Sequence, residues 1–368
     1  MCKIIVYIPV KNDAWFVENS IRHAVEWADC VIVADESSTD GSVDIYRKLE
    51  NQHSNLKIIY NRPKMDFTTP DLRNYMLEQV RKFDGNNIIF ELHADEIISA
   101  KILNNNIKEE LIYKLSIGKC LELPWLTLWK DPLKYRDDNS VWSNNTCIFA
   151  FRDDRKSMFQ SPVFHGHRVP DSYLNDKVTI NSIPVIHYQF VNIGIDKSKQ
   201  ALYQIFERNH YPDKNIYNIY TLHAHYFDVS KLKTKILEED DYVPWINIGL
   251  KICKTYNDDD IFSWRDEEVL KNFNTYGIKR YEKTLIWHIN WENKRQLALL
   301  KGLRNVPLFQ IVDPRSLSTK IAQYILMKYQ VCPFWEIDYV IFIISKTVNF
   351  VKRNISKNNK YFDNIFTK

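Results

Sequence analysis

The chain has 368 residues, 45% of them hydrophobic and 26% charged, with only 8 glycines, which excludes a disordered or fibrous protein and leaves room for one large domain with an appendage or for two domains. A formal net charge of +4 is too small to argue for nucleic acid as a partner, and no apolar run is long enough to span a bilayer. Six scattered cysteines without a CxxC pair (Cys2, Cys30, Cys120, Cys147, Cys253, Cys332) read as reduced core residues of a cytoplasmic protein rather than structural zinc ligands, and the N-terminus carries no secretory signal.

In the first hundred residues apolar runs alternate with helix-like stretches. "KIIVYIP", "CVIVAD", "LKIIY" and "NIIFELH" predict four strands in βαβ order, hence an α/β fold with a parallel sheet flanked by helices. One helix is expected from a cap at Asp13 to about Ala28, and another, entered through "STDGS", from Val43 to Leu49. Beyond residue 100 shorter strands are expected around "CLELPWL", "CIFAFR" and "IPVIHYQF", then helices from about Lys197. A polar break, "YNDDDIF", covers 256–262, and an aromatic-rich helical region follows it.

Ligands of such sheets bind outside the carboxyl ends of the strands. Three polar clusters fall there: Lys11 to Asp13 after the first strand, "ADESSTDGS" after the second and "HADE" after the fourth. Asp35 and Glu36 can accept hydrogen bonds from a base N–H or ribose hydroxyls, while Ser38, Asp40 and Gly41 set up the next helix; the same residues would also serve simply as a turn and a cap.

In order and spacing, "IPVKNDAWFVENSI", "VADESSTDGS", the Arg73-Asn74 pair of "TTPDLRNYML" and "FELHADE" resemble family 2 glycosyltransferases of the GT-A fold, of the lipopolysaccharide-core and capsule type. The resemblance is good over about the first 100 residues and continues weakly to about 200. It implies a Rossmann-like mixed sheet, with a GT-A catalytic domain over 1–230 (a nucleotide-binding half over 1–100, an acceptor half over 101–230) and a mostly helical region over 231–368. It implies transfer of a sugar from a nucleotide-sugar donor to a hydroxyl of a glycan or lipid-linked acceptor, with inversion, in cell-surface polysaccharide synthesis. Residue by residue, Pro9, Val10, Lys11 and Asn12 would line the nucleotide pocket, Asp35 or Glu36, with Ser38, would hold base or ribose, and Arg73, with Asn74, would reach the base or phosphates. Asp95 would take the place of the last Asp of the DxD motif, whose first Asp is here His93.

A diphosphate leaving group develops negative charge that Mg²⁺ or Mn²⁺ can neutralise, and such hard cations need only one or two carboxylates. The imidazole of His93 shifts the preference toward Mn²⁺ and leaves open catalysis without a metal. In related enzymes a late histidine completes the metal site, the place His187 takes here. An inverting transfer also needs a base, for which Glu96, Asp171 and Asp153 are the candidates. Trp125 and Trp129 could form an acceptor wall or belong to the core. His165 and His167 lie where related sequences have an acceptor loop.

The His-x-His pairs, His165/His167 and His223/His225, also permit a metal-dependent hydrolase that would use His93 and Asp95. A non-catalytic nucleotide- or glycan-binding module is the third reading. From Asp313 onward nine Lys or Arg face four Asp or Glu, and an apolar run between Asp338 and Lys346 precedes a basic stretch. That tail suits a helix lying on the inner face of an anionic membrane, a helix packed on the catalytic domain, or a homodimer interface.

Overall fold

The computed structural model describes residues 2–65, 69–138, 142–143, 145–162, 166–214, 216, 219, 223, 233–251 and 262–328. They form two compact units: one holds residues 1–137, 142–193 and 234–257, the other 138–141, 194–233 and 258–368.

The first unit is built on a mixed sheet. Strands β1 (Ile4–Val10), β2 (Cys30–Asp35), β3 (Leu56–Ile59) and β4 (Ile88–Glu91) are parallel in the order β3-β2-β1-β4. β1, β2 and β4 read as unbroken apolar runs because helices cover both faces of the sheet. Ile4, Val6 and Ile8 pack with Val17, Ile21 and Ala24 of α1 (Val17–Trp27), whereas Ile5 and Tyr7 face Met76, Leu77 and Val80 of α3 (Asp71–Val80). Between β2 and β3 lies α2 (Ser42–Glu50), entered through Gly41 at φ 98°. α1 begins later than its cap was expected: the Asp13 carbonyl accepts from the Phe16 and Val17 N–H groups, and no side chain caps the helix.

Past β4 the sheet turns antiparallel. β5 (Glu96–Ile98) and α4 (Asn105–Lys114) come first. β6 (Cys120–Trp129) then pairs with β7 (Lys134–Arg136) and β8 (Asn145–Arg152) antiparallel, and with β9 (Lys177–Thr179) and β10 (Val185–Phe190) parallel; β8 closes onto β4. β5 runs antiparallel to β10 with His187 opposite Glu96, and the Tyr188 N–H donates to the Asp95 carbonyl at 2.9 Å. That pairing carries the "HADE" turn against β10.

The chain leaves the first unit after 193, runs through α5 (Ile193–His210) in the second, and returns with β11 (Thr234–Ile236) on β7 and then α6 (Glu239–Asn247). Trp245 of α6 is buried and its indole donates to the Ile98 carbonyl at 2.9 Å, while Asp241 accepts from the Ser99 hydroxyl, so this return segment completes the core of the first unit.

The second unit is helical among the described residues: α5, α7 (Trp264–Tyr276), α8 (Trp291–Leu300) and α9 (Leu317–Lys328). Ala201, Leu202 and Ile205 meet Val269, Leu270, Phe273, Trp287 and Trp291 in its core, with Phe273 stacked on Trp287 at 5.4 Å. The apolar and basic tail after residue 328, Cys253, Cys332 and nearly all of "YNDDDIF" lie outside the described residues. No described helix is long and apolar enough to cross a membrane.

Candidate functional site

The loops after β1 and β2 are laced together. Val10 stands opposite Asp35 in the ladder, and the Glu36 N–H donates to the Val10 carbonyl at 2.9 Å. The Ser38 hydroxyl accepts from the Asn12 N–H at 2.8 Å, Asn12 Oδ1 from the Thr39 N–H at 2.6 Å, and Asp40 from the Ala14 N–H at 2.9 Å. Asn12 and Ser37 both sit in the left-handed region, at φ 54° and 53°, a conformation that costs a non-glycine residue energy and that the cross-loop bonds hold in place.

Within this frame the two acidic candidates separate. Lys11 at 2.7 Å and Arg62 at 2.6 Å occupy the two oxygens of Glu36, which correct the expectation that it is free to take a base or ribose. Asp35 is fully buried. One of its oxygens accepts from the Ser38 N–H at 3.1 Å, and the other, Oδ1, has no hydrogen-bond partner among the described residues. A buried carboxylate oxygen without a donor is costly, so its place at a strand end marks it for a ligand. Pro9 and Val10 belong to the β1 ladder, and the loop backbone able to line a pocket begins at Lys11.

A second cluster forms at the end of β4. Glu91 stands opposite Tyr7 and accepts from its hydroxyl and from Arg73 Nε at 3.2 Å; Arg73 Nη1 donates to the Pro162 carbonyl at 3.3 Å. Arg168 closes on Glu96 through both terminal nitrogens, at 2.6 and 2.8 Å, while Glu96 also accepts from the His93 N–H at 2.9 Å. All four charged groups are buried, two guanidinium groups against two carboxylates. Burial works to raise the Glu91 carboxyl, but Arg73, His93 and Arg168 hold it well below the usual carboxylate range. For Glu96 burial is likewise outweighed, chiefly by Arg168, and the pKa falls to about 2. Burial and the Glu91 charge push the Tyr7 hydroxyl well up.

This arrangement corrects several expectations. Glu96 is buried with both oxygens on Arg168 and one on the His93 N–H, which occupies the lone pairs that the expected general base would need. The ring of His93 lies between Glu91 Oε1, at 3.7 Å from Nε2, and Arg168 Nη2, at 3.4 Å from Nδ1, which turns both ring nitrogens toward protein groups. Arg73 has its Nε and both terminal nitrogens on protein acceptors. Asn74 clasps Phe159 by two hydrogen bonds, 2.9 and 3.0 Å, and thereby ties the loop after β8 to α3.

Asp95 and His187 do come together. Asp95 Oδ2 lies 3.6 Å from His187 Nε2, and the Asp95 side chain keeps 11% of its surface exposed. His187 is buried, stacked on Trp125 at 4.7 Å, with neither ring nitrogen in a hydrogen bond among the described residues. Arg168 lies over the Phe149 and Trp125 rings, at 4.7 and 5.6 Å, so one side chain ties the Glu96 cluster to the aromatic wall. Among the described residues no three His, Cys, Asp or Glu side chains are grouped to hold a metal, so the His93, Asp95, His187 triad is not assembled. One carboxylate and one imidazole with free nitrogens still fit a Mn²⁺ or Mg²⁺ ion that takes its other ligands from a diphosphate and water.

The remaining candidates lie apart from this edge or are spent. Asp153 follows β8, where its N–H donates to the Asn87 carbonyl, at the opposite end of β4 from "HADE", and Arg81 grips its two oxygens at 2.8 and 3.0 Å. Asp171 accepts from the Ser161 hydroxyl and N–H and from the Gln160 N–H, at 2.6, 3.0 and 3.2 Å, which makes it a loop brace. Trp129 is 4% exposed, packed on Phe190 and under Arg136, and belongs to the core; Trp125 is half-buried. His167 is exposed. His165 and His225 lie outside the described residues. His223, in the second unit, is held between Gln200 at 2.7 Å and Glu207 at 2.8 Å, a structural setting.

Arg168, Glu91, Tyr7 and Arg62 escaped the sequence reading. A glutamate in a buried apolar strand signals that a cation must come to it, but the partner, Arg73, is 18 residues away, and Arg168 lies 72 residues from Glu96. Gly166 offers a subtler signal. A Cβ there would come within 1.8 Å of the Pro162 carbonyl oxygen and 2.9 Å of Arg73 Nη1, so only glycine lets the loop carrying Arg168 close over Arg73.

No family model matches the chain, and no curated protein matches it by sequence. Among solved structures it is similar to a mannosyltransferase from Pyrobaculum calidifontis in complex with GDP-Man and Mn²⁺, at 15% identity and a TM-score of 0.35, over 59% of this chain and 66% of that one. The chain thus spans slightly under two thirds of that protein. A 4-diphosphocytidyl-2C-methyl-D-erythritol synthase matches at 13% identity and a TM-score of 0.26, over 41% and 76% of the two chains. A mannose-6-phosphate isomerase from Helicobacter pylori matches at 12% and 0.26, over 65% and 87%. None of the three is close enough to carry a function to this chain.

Proposed function

We propose that the first unit binds a nucleotide-sugar donor and transfers its sugar to a hydroxyl of a glycan or lipid-linked acceptor. The observation that carries the reading is a pair of buried polar groups without hydrogen-bond partners among the described residues: Asp35 Oδ1 after β2, and the His187 ring of β10 beside Asp95, which follows β4. β1 lies between β2 and β4. Asp35 and Asp95 thus follow the two strands that flank β1, an arrangement suited to a nucleoside at one end and its diphosphate at the other. The Lys11–Asn12 loop runs between them.

In this reading Asp35 takes a base N–H or a ribose hydroxyl, and Asp95 with His187 holds Mn²⁺ or Mg²⁺. The ion would supply charge neutralisation at the leaving diphosphate. His93, between Glu91 and Arg168, presents its 40%-exposed side chain to the same edge, and Trp125 supplies an aromatic face for sugar C–H surfaces. Arg168 and Arg73 hold the carboxylates beneath. Inversion, a role in cell-surface polysaccharide synthesis, a cytoplasmic site of action, membrane contact through the tail and a homodimer rest on the sequence resemblance and on the composition of the tail.

The test is a thermal-shift panel of nucleoside mono- and diphosphates, with and without Mn²⁺. A true donor fragment raises the melting temperature by mass action, and Asp35→Asn should remove most of that rise. A panel in which no nucleotide shifts the wild-type protein would overturn the proposal.

A further inference from the structure

The second unit contains a cationic cleft unrelated to the residues considered so far. It has a volume of about 260 Å³ and is lined by Arg208, Pro212, Lys279, Arg280, Glu282 and Lys283. Arg208 sits in the last turn of α5 and Pro212 just after that helix; the others come from the 3-10 turn Ile278–Tyr281 and the residues after it. Four cations face one carboxylate, and that carboxylate, Glu282, is paired with Lys279.

The two arginines are held but not neutralised. Arg208 Nη1 donates to the Pro212 carbonyl at 2.6 Å, and Arg280 Nε donates to Asn209 Oδ1 at 3.0 Å. Asn209 is itself fixed, by the Tyr281 hydroxyl at 2.9 Å and by Asn272 at 2.7 Å, and the Arg280 guanidinium rests on the Tyr276 ring at 5.3 Å. Among the described residues neither Arg208 nor Arg280 has a carboxylate within ion-pair distance, whereas Arg62, Arg73, Arg81, Arg168, Arg295 and Arg315 are each paired with one. A guanidinium anchored through one nitrogen keeps its other N–H groups for a planar or tetrahedral oxyanion, and anchoring in advance lowers the entropy lost on binding.

We infer that this cleft binds a phosphate-bearing group. Its volume lies just below the range of about 300–1,000 Å³ usual for drug-sized ligands, which fits a phosphate, pyrophosphate or sugar phosphate rather than a whole nucleotide sugar. The group could reach the cleft as a soluble phosphate ester or as a phosphorylated lipid headgroup, and the chemistry of recognition is the same. The inference uses residues of the second unit only and stands whether or not the first unit transfers sugar.

The test compares the full-length protein with an Arg208→Gln, Arg280→Gln double variant, using calorimetry with inorganic pyrophosphate and sedimentation with anionic or neutral phospholipid vesicles. Pyrophosphate binding that weakens at least tenfold in the double variant, and fades with added salt, supports a soluble source. Sedimentation with anionic vesicles only, lost in the double variant, supports a lipid headgroup. Equal behaviour of the two proteins towards both probes overturns the inference. Should the double variant lose its cooperative melt, Lys279→Gln with Lys283→Gln reads the same loss from the other half of the cleft.

Discussion

Acidification should destabilise the first unit through a single side chain, His23 of α1. His23 is fully buried, its Nδ1 lies 2.6 Å from the Ser20 carbonyl and its Nε2 accepts the Ile98 N–H at 3.2 Å. A carbonyl can only accept and an N–H can only donate, so the ring must carry its proton on Nδ1 and keep a lone pair on Nε2. Protonation would set Nε2–H against the Ile98 N–H and place a charge in a site walled by Trp27 and Trp245. Burial is the main cause that lowers the pKa, from 6.5 to about 3. The folded pKa is depressed, so the unfolded chain takes up the proton first. Stability is therefore intact above about pH 6.5 and is lost progressively as pH falls toward 3, at about 1.4 kcal/mol per pH unit, or about 2 kcal/mol between pH 7 and pH 5. The carboxylates with depressed pKa values, such as Glu96, add their loss only below about pH 4.5, which leaves the upper window to histidine. The assay is denaturant unfolding at pH 7 and pH 5 for the wild type and for His23→Gln, which stays neutral throughout, together with an NMR titration of the His23 ring. The wild type should lose about 2 kcal/mol more than the variant over that interval. An equal loss in both proteins, or a ring that titrates near pH 6.5, would refute the reasoning.

Arg168→Gln should destabilise the first unit by about 3–5 kcal/mol, read as a lowered denaturation midpoint, because Glu96 would be left charged and buried without its partner; a loss under about 1 kcal/mol would show the pair to be dispensable. Asp95→Asn, which keeps the shape of the side chain, should abolish the Mn²⁺-dependent part of any nucleotide-induced thermal shift while the variant still melts cooperatively; a Mn²⁺ response equal to that of the wild type would remove Asp95 from the metal. Asn74→Ala should cost about 1–3 kcal/mol by stranding the Phe159 N–H and carbonyl, with nucleotide binding retained; a selective loss of nucleotide affinity at full stability would return Asn74 to the donor site.

Much of the first hundred residues was legible because the signals there are local. Short, β-branched runs such as "VIVAD" read as strands buried on both faces, their spacing leaves room for crossover helices, and parallel strands send their carboxyl ends to one edge. Asp35 and Asp95 on the same edge of the sheet follow from that alone. What each polar residue does at that edge depended on partners far along the chain. Glu36 and Glu96 look in the sequence as available as Asp35 and Asp95. Arg62 and Arg168 take the first two out of play, whereas no described side chain takes the buried oxygen of Asp35.

The sequence by itself determined the βαβ half, its polar edge and the helical, aromatic-rich second half, because hydrophobic periodicity and turn chemistry act over a few residues. Only the tertiary structure decided which charges are neutralised. It set His187 beside Asp95 through the β5–β10 pairing and returned residues 234–257 to the first unit. It also left Arg208 and Arg280 outside any ion pair among the described residues of the second. The physical reason is that a buried charge is settled by whatever lies within about 4 Å of it. That neighbour is chosen by the packing of distant elements, and spacing along the chain carries no record of it.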